Sequence, residues 1–259
     1  KIINNGNVVG VNIPNRLSFD VEYFAKKMLK DAEKEIGHLY PSDKNGKKPL
    51  VYYWAKVVNC SNPTCRAEVP LLRQFYLSNK KGKILYLNPI IEGNKIEFEI
   101  KSGSYKFEGW NNKGNLKCPC CGSVTDIKNI KEQFINQLTK EKLLAVVFEG
   151  ENGKEYRIPS NEEINSISNL PEYIEIPSED MQRNSAGGDT FSWGINKWGQ
   201  IFSKRQLHSI HSLIKHFNLI KGNKKTIEDY DKALLTYLSI WIDRVASYMT
   251  SFGRWIPQN

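Results

Sequence analysis

Five cysteines are the residues of this 259-residue chain best suited to chemistry, and all of them lie between positions 60 and 121. They fall in two short runs, Cys60-Ser-Asn-Pro-Thr-Cys65 and Cys118-Pro-Cys120-Cys121-Gly122. Two turns that each offer a cysteine pair, with strand-like segments between them, have the spacing of a tetrahedral zinc site. Zinc takes four soft ligands at about 2.3 Å, and a tight turn containing Pro or Gly presents two thiolates to one ion. Pro119 bends the chain after the first ligand of the second run, and Gly122 lets it turn back after the last. The first run is wider than the common C-x-x-C spacing, but Asn62-Pro63 is itself a turn signal. The ligand set read from this pattern is Cys60, Cys65, Cys118 and Cys121, with Cys120 a bystander. Four thiolates leave no open position, so such a zinc is structural rather than catalytic. The plain alternative is disulfides or unrelated buried thiols. An odd number of cysteines packed at two turns is a poor disulfide framework.

Positioning these turns falls to β-structure. Leu50–Asn59 is a run of aromatic and β-branched residues that delivers Cys60 to its turn. Glu68–Leu77 is predicted to return from the turn as the partner strand. Lys80-Lys81-Gly82-Lys83 reads as a basic hairpin tip. Ile84–Leu87, Lys95–Ile100 and Tyr105–Trp110 read as further strands, with turns at Glu92-Gly93-Asn94 and Ser102-Gly103, and Lys117 leads into the second cysteine turn. The expectation is a zinc ribbon whose two turns are separated by an inserted antiparallel meander.

The remainder is more helical. Residues 18–36 form an amphipathic pattern, with Ser18 as cap and Gly37 as stop. Its apolar stripe is Val21, Ala25, Met28, Ala32 and Ile36, with Phe24 and Leu29 beside it. Lys26, Lys27, Lys30 and Lys34 occupy the other face, more simply solvated surface than a phosphate track. Residues 41–49 form a linker. Asp126 can cap a helix reaching Leu138, and Leu143–Glu149 with Tyr156–Ile158 reads as a hairpin around Asn152-Gly153. Residues 160–200 look mostly irregular, with Phe191, Trp193 and Trp198 clustered near Lys197 and Arg205. These aromatics anchor a long loop more simply than they stack bases. Ser203-Lys-Arg-Gln206 is a capping box opening a helix with Leu207, Ile210, Leu213, Ile214 and Phe217 on one face. A last helix, capped by Thr226, carries Ile227, Tyr230, Leu234, Tyr237, Leu238, Trp241, Val245 and Tyr248. The fold class is therefore α+β, read as four segments: helix and linker 1–48, zinc ribbon 49–126, a mixed region 127–200 and a helical pair 201–259.

Charge adds a partner class. Lys and Arg number 37 against 28 Asp and Glu, a net charge of +9. Between residues 60 and 140 there are 13 basic against 7 acidic residues, so a surplus of 6 sits on the cysteine region. Such an excess suggests an anionic partner, most often nucleic acid, although a lysine-rich proteome would look similar. The candidate phosphate contacts are Arg66, Arg73, Lys80, Lys81, Lys83, Lys113 and Lys117. No run approaches the ~18 apolar residues of a membrane span, and no secretion signal is present. Clustered thiols then argue for a reducing cytoplasm. A chain that begins at Lys1 is expected to be a piece of a longer one.

Catalytic patterns are not evident. No phosphate-binding glycine loop follows any strand. His208 and His211 lack a carboxylate at helical spacing that would complete a metal site. Asp243-Arg244 reads as a local ion pair.

Several runs together resemble a family. Ile36-Gly-His-Leu-Tyr-Pro41, Tyr53-Trp-Ala-Lys-Val-Val-Asn-Cys-Ser-Asn-Pro63 and Glu68-Val-Pro-Leu-Leu-Arg73 are similar to the adenine-specific DNA methylases that contain a zinc-ribbon module. Leu77-Ser-Asn-Lys-Lys-Gly-Lys83, Cys118-Pro-Cys-Cys-Gly122 and Leu143-Leu-Ala-Val-Val147 continue the likeness. So do Trp198-Gly-Gln-Ile-Phe-Ser-Lys-Arg-Gln-Leu207 and Tyr237-Leu-Ser-Ile-Trp-Ile-Asp-Arg244. The resemblance implies methyl transfer from S-adenosylmethionine to the exocyclic amine of adenine in DNA. Enzymes of that kind carry a glycine-rich cofactor loop and an Asp/Asn-Pro-Pro-Tyr loop, and this chain has neither; Asn88-Pro89-Ile90 lacks the second proline and the aromatic. What the resemblance implies is therefore the intervening zinc-ribbon segment of such a methylase, with S-adenosylmethionine belonging to the parent protein. Its partners would be DNA and the rest of the methylase chain, or protein subunits if the module serves docking instead.

Overall fold

The computed structural model describes residues 2–4, 7–9, 15–151, 153–168, 170, 175–183, 189–222, 228–251 and 253. In chain order the elements begin with β1 (Ile2–Asn4), β2 (Asn7–Val9), α1 (Arg16–Ile36) and β3 (Pro49–Asn59). The middle runs β4 (Glu68–Pro70), β5 (Tyr76–Lys80), β6 (Lys83–Glu92), β7 (Lys95–Ser102), β8 (Asn111–Asn112), β9 (Asn115–Lys117) and β10 (Val124–Thr125). Then come α2 (Ile127–Ile135), β11 (Lys140–Gly150), β12 (Gly153–Arg157), α3 (Asn161–Ser168), α4 (Lys204–Lys221) and α5 (Asp229–Tyr248). Every strand pair is antiparallel, so the class is α+β with an N-terminal helix and C-terminal helices. The chain divides into two units, one holding β1, β2, α1, α4 and α5, the other holding everything from β3 to α3 and residues 177–201.

The second unit has three sheets, two of which carry the cysteine turns. One has the order β12-β11-β3-β4, another β5-β6-β7, and a small one β10-β9-β8. β11 is an interior strand beside β3, and Leu144 through Val147 are buried on both faces, as an unbroken apolar run predicts. The predicted return strand from Glu68 to Leu77 is in fact two strands in different sheets. β4 ends at Pro70, which has no N–H to continue the ladder, and the chain crosses before β5 begins. The predicted strand at Tyr105–Trp110 is likewise absent. Its alternating aromatics pack onto Phe75 instead: Tyr105, Phe107 and Trp110 stand edge-on to that ring at 5.6, 4.9 and 5.0 Å. The Phe75 N–H donates to the Tyr105 hydroxyl at 2.8 Å. Gly109 is required there, because a Cβ would sit 2.1 Å from the Arg73 carbonyl oxygen.

α2 starts as expected, with Asp126 accepting from the Asn129 N–H at 2.8 Å, but it ends at Ile135, before Leu138. Gln137, at φ +55, turns the chain away. The hairpin β11–β12 forms as predicted, although Asn152 lies outside the described residues. α3 was not anticipated. Its start is a reciprocal cap: the Glu163 N–H donates to Ser160 Oγ at 3.2 Å, and the Ser160 N–H donates back to the Glu163 carboxylate at 2.8 Å. That carboxylate is buried and takes two bonds from Arg157 at 2.7 and 2.9 Å, while Arg157 covers the Phe148 ring at 4.6 Å.

In the first unit α1 is capped by Asn15, not Ser18; the Ser18 N–H is the donor, at 3.1 Å. Ala25, Met28 and Ala32 are buried, whereas Leu29 is exposed. Met28 and Ala25 pack with Leu234, Leu238 and Ile242 of α5. The α5 stripe is thus narrower than predicted, with Tyr237 and Tyr248 exposed and Ile242 taking a core position. Thr226 and Ile227 lie outside the described residues, and α5 begins after Glu228. The α4 capping box is present in full between Ser203 and Gln206.

Candidate metal centre

Cys60 leaves β3 and Cys118 leaves β9, so two strand ends point the turns at one another. In the first turn Asn62 Oδ1 accepts from the Thr64 N–H at 3.0 Å, and the Asn62 carbonyl accepts from the Cys65 and Arg66 N–H groups at 3.1 and 3.0 Å. Arg66 takes a left-handed φ of +47 to let the chain return, and the Cys60 N–H closes the loop on the Ala67 carbonyl at 2.9 Å. In the second turn the Cys118 N–H meets the Ser123 carbonyl, and the Gly122 N–H meets the Cys118 carbonyl, both at 2.9 Å. Gly122 has φ +77, where a side chain would strain the backbone.

Polar links hold the turns together and tie them to α2. The Ser61 N–H donates to Thr125 Oγ1 at 3.0 Å, with Thr125 fully buried. Asn62 Nδ2 donates to Ser123 Oγ at 3.3 Å. Gln133 of α2, also buried, grips Asn59 from both sides: its Oε1 accepts from the Asn59 N–H at 2.8 Å and its Nε2 donates to the Asn59 carbonyl at 2.9 Å. Sequence reading missed Gln133 because a single glutamine on a helix carries no pattern.

The result is a four-thiol cluster. The sulfurs of Cys60, Cys65, Cys118 and Cys121 all lie within 4.8 Å of one another. Cys60 Sγ is 3.6 Å from Cys121 Sγ, and Cys65 Sγ is 3.8 Å from Cys118 Sγ. These are no disulfides; all five cysteines are free. Cys60 and Cys118 are buried, Cys65 is half-buried and Cys121 is exposed.

Electrostatics around the sulfurs differ. Burial pushes the Cys60 thiol up to about 12, against a bond from the Asn62 N–H, with the Cys121 and Cys118 sulfurs adding to the rise. At Cys65 the Ala67 N–H pulls downward, but burial and the neighbouring sulfurs carry the thiol above its ordinary value. Cys121 goes the other way, down to about 6, because the Ser123 hydroxyl and N–H both donate to its sulfur. At Cys60, Cys65 and Cys121 the residue two positions on donates its N–H to the sulfur. Donors aimed at sulfur stabilise thiolate. Cys120 is outside the cluster and packs, half-buried, against the main apolar core.

The charged candidates separate into two kinds. Arg66, Arg73, Lys80, Lys81, Lys113 and Lys117 are exposed, with no ion-pair partner among the described residues. Lys81 and Gly82 form the two-residue tip between β5 and β6, as expected. Lys113 and Gly114, both at positive φ, form the tip between β8 and β9. Lys83 is different: its ammonium donates to the Lys154 carbonyl, which ties β6 to β12. Elsewhere, Trp193 stands edge-on to Phe134 at 5.2 Å, anchoring the aromatic loop, while Trp198 is exposed. His208 and His211 belong to no metal-capable group among the described residues. Arg244 does not pair with Asp243; it donates to the Tyr248 hydroxyl at 2.7 Å. None of the described helices is long and apolar enough to cross a membrane.

Comparison of the chain with protein-family models, curated proteins and solved structures gives no match.

Proposed function

We propose that Cys60, Cys65, Cys118 and Cys121 hold one structural zinc ion, and that the cysteine module is a zinc ribbon presenting cations to DNA. One observation carries the metal reading. A tetrahedron with Zn–S bonds of about 2.3 Å has edges of about 3.8 Å, and two of the sulfur pairs stand at 3.6 and 3.8 Å. All four positions are protein sulfur, so the ion holds turns together and does no chemistry on substrate. Support for DNA comes from six exposed cations on the same module that have no ion pair among the described residues, two of them at hairpin tips. The wider context, an accessory segment of an S-adenosylmethionine-dependent adenine methyltransferase, rests on the motifs quoted above, and the cytoplasmic setting rests on the clustered thiols.

A second reading is favoured by a different observation. Tyr237, Ile240 and Tyr248 of α5 are all more than half exposed, which suits docking to a protein subunit. Salt separates the two. Metal analysis is expected to give one zinc per chain. DNA binding is expected to weaken steeply with salt, and Lys80→Glu with Lys81→Glu should lower affinity for all sequences and flatten the salt slope by about two. A matching reversal at Lys204 and Lys221 serves as control. Equal loss from both pairs would reduce the effect to net charge, and no loss from either would leave docking as the function.

A further inference from the structure

Two adjoining clefts lie where β7 of one sheet faces β3, β4 and β11 of another. One, of about 290 Å³, is lined by Trp54, Phe98, Leu143, Ile158, Pro159 and Ile164 among others. Its neighbour, of about 480 Å³, is lined by Arg66, Glu68, Lys95 and Lys140 among others. Glu97, Glu141 and Lys142 line both. Lys142 is the strut between the sheets: its ammonium donates to the Ile96 carbonyl at 2.5 Å and to Glu97 at 3.0 Å, and lies 5.8 Å from the Phe98 ring centre. The paired clefts are thus one groove, apolar and aromatic at one end and charged at the other.

The charges do not cancel evenly. Each carboxylate already has a lysine: Glu68 with Lys140, Glu97 with Lys142 at 3.0 Å, and Glu141 with Lys56 at 2.5 Å. Arg66 and Lys95 are left exposed and without an ion pair among the described residues. Arg66 is also held in place, since the turn between Cys60 and Ala67 fixes its backbone. An occupant that satisfies both ends has a flat, largely apolar ring at one end and an anion at the other. We propose that this groove receives one nucleotide of an unpaired DNA segment, its base against the half-buried Trp54 and its phosphate at Arg66 and Lys95, with Phe98 buried beneath Lys142 and Trp110 as the floor. The proposal rests on the DNA reading above and adds a site to it: hairpin-tip lysines meet phosphates of any DNA, while the groove selects unpaired nucleotides. Stacking supplies the preference, because an aromatic side chain gains from a free base face and duplex DNA presents none.

The test uses the full chain, zinc-loaded, with deoxyadenosine 5′-monophosphate, deoxyribose 5-phosphate and a short single-stranded oligodeoxyadenylate as probes, measured by calorimetry or competition. The nucleotide is expected to bind about tenfold tighter than the base-free sugar phosphate, in line with one stacked base. Arg66→Glu with Lys95→Glu should weaken the nucleotide by about tenfold through loss of two charge-assisted contacts. Ile164→Asp, which places a carboxylate at the apolar end, should weaken it by roughly fivefold while leaving duplex binding unchanged. Zinc content and the thermal midpoint of each variant show whether it has kept its fold, and Lys95→Glu alone serves if the Arg66 change disturbs the turn. Equal affinity for nucleotide and sugar phosphate would overturn the proposal, as would indifference of the nucleotide to Lys95→Glu. Duplex binding lost only through Lys80 and Lys81, with no nucleotide binding, would keep the DNA reading and reject this site. Nucleotide binding without duplex binding would do the reverse.

Discussion

The helical unit and the cysteine module are held together by different means. In the first, Met28 and Ala25 of α1 meet Leu234, Leu238 and Ile242 of α5 through apolar side chains, with Glu35 adding polar bonds from α1 to α4. In the second, the two turns come from positions 53 residues apart between Cys65 and Cys118, and buried polar groups set their register. Apolar stripes tolerate small shifts, since burial is non-directional. The turns do not: a sulfur displaced by an ångström no longer fits a metal tetrahedron. The chain has accordingly placed a buried threonine and a buried glutamine on backbone groups where a helix bundle would place leucines.

That contrast predicts its own largest break. Removing zinc with a chelator, or making Cys118→Ser, should loosen the cysteine module while the helical unit keeps its structure. Structural zinc contributes on the order of 10 kcal/mol to small metal-bound folds. Circular dichroism would then show α-helical signal retained while near-ultraviolet signal from Phe75, Trp110 and their neighbours falls. Simultaneous loss of both signals would show that the units depend on one another. Next in size is Leu238→Ala, which opens a cavity at a fully buried site and should cost about 3 kcal/mol, read as a lower thermal midpoint for the helical signal alone. Arg157→Met should cost about 2 kcal/mol, by removing two of the hydrogen bonds to the buried Glu163 carboxylate and leaving it only Ser160. The companion change Glu163→Gln should then recover part of that loss.

Legibility in sequence followed the same divide. Elements with period or cap chemistry were readable: β3 from its β-branched run, α2 from Asp126 and α4 from its capping box. So were the cysteine turns, because Pro, Gly and paired thiols mark both. What was not readable depends on partners distant in the chain. Tyr105–Trp110 alternates like a strand, yet its rings find Phe75, and no local pattern reveals that. Pro70 was a missed stop signal in the return strand, and Ser160-x-x-Glu163 a missed capping box. Lys83 looked like the other lysines of its hairpin until the Lys154 carbonyl came within its reach. The amphipathic face of α5 was read too broadly, because Tyr237 and Tyr248 fit the helical period but remain exposed.

A pH series sharpens the comparison further. Glu35 of α1 accepts from Lys215 at 2.6 Å, Ser212 at 3.0 Å and His216 at 3.0 Å, all on α4. The Lys215 ammonium, foremost, holds the Glu35 carboxyl below the ordinary 4.5. A depressed carboxylate contributes stability that is fully present above its unfolded value and is lost as pH falls through the folded one. The helical unit should therefore loosen below about pH 4.5 by more than Glu35→Gln does. Thermal melts of the two proteins should converge in acid, and a difference that stays constant from neutral pH downward would reject the linkage.

The smallest effect expected is at Cys120, and it tests how much of the cysteine module belongs to the metal. Cys120 sits between two proposed ligands in sequence, yet its sulfur lies outside the cluster and the residue packs, half-buried, against the apolar core. Burial, first, and the nearby Cys118 sulfur push its thiol up to about 11, so it behaves as a small apolar side chain. Cys120→Ala removes one sulfur from a partly covered position and should cost about 1 kcal/mol or less. Zinc stoichiometry should stay at one per chain, and the midpoint of chelator-induced loosening should not move. Cys121→Ala, one residue on, should abolish zinc retention. If Cys120→Ala lost zinc and Cys121→Ala kept it, the ligand set would be Cys60, Cys65, Cys118 and Cys120, and the short turn through Gly122 would have to close around a different sulfur; equal loss from both would show that the site needs both sulfurs.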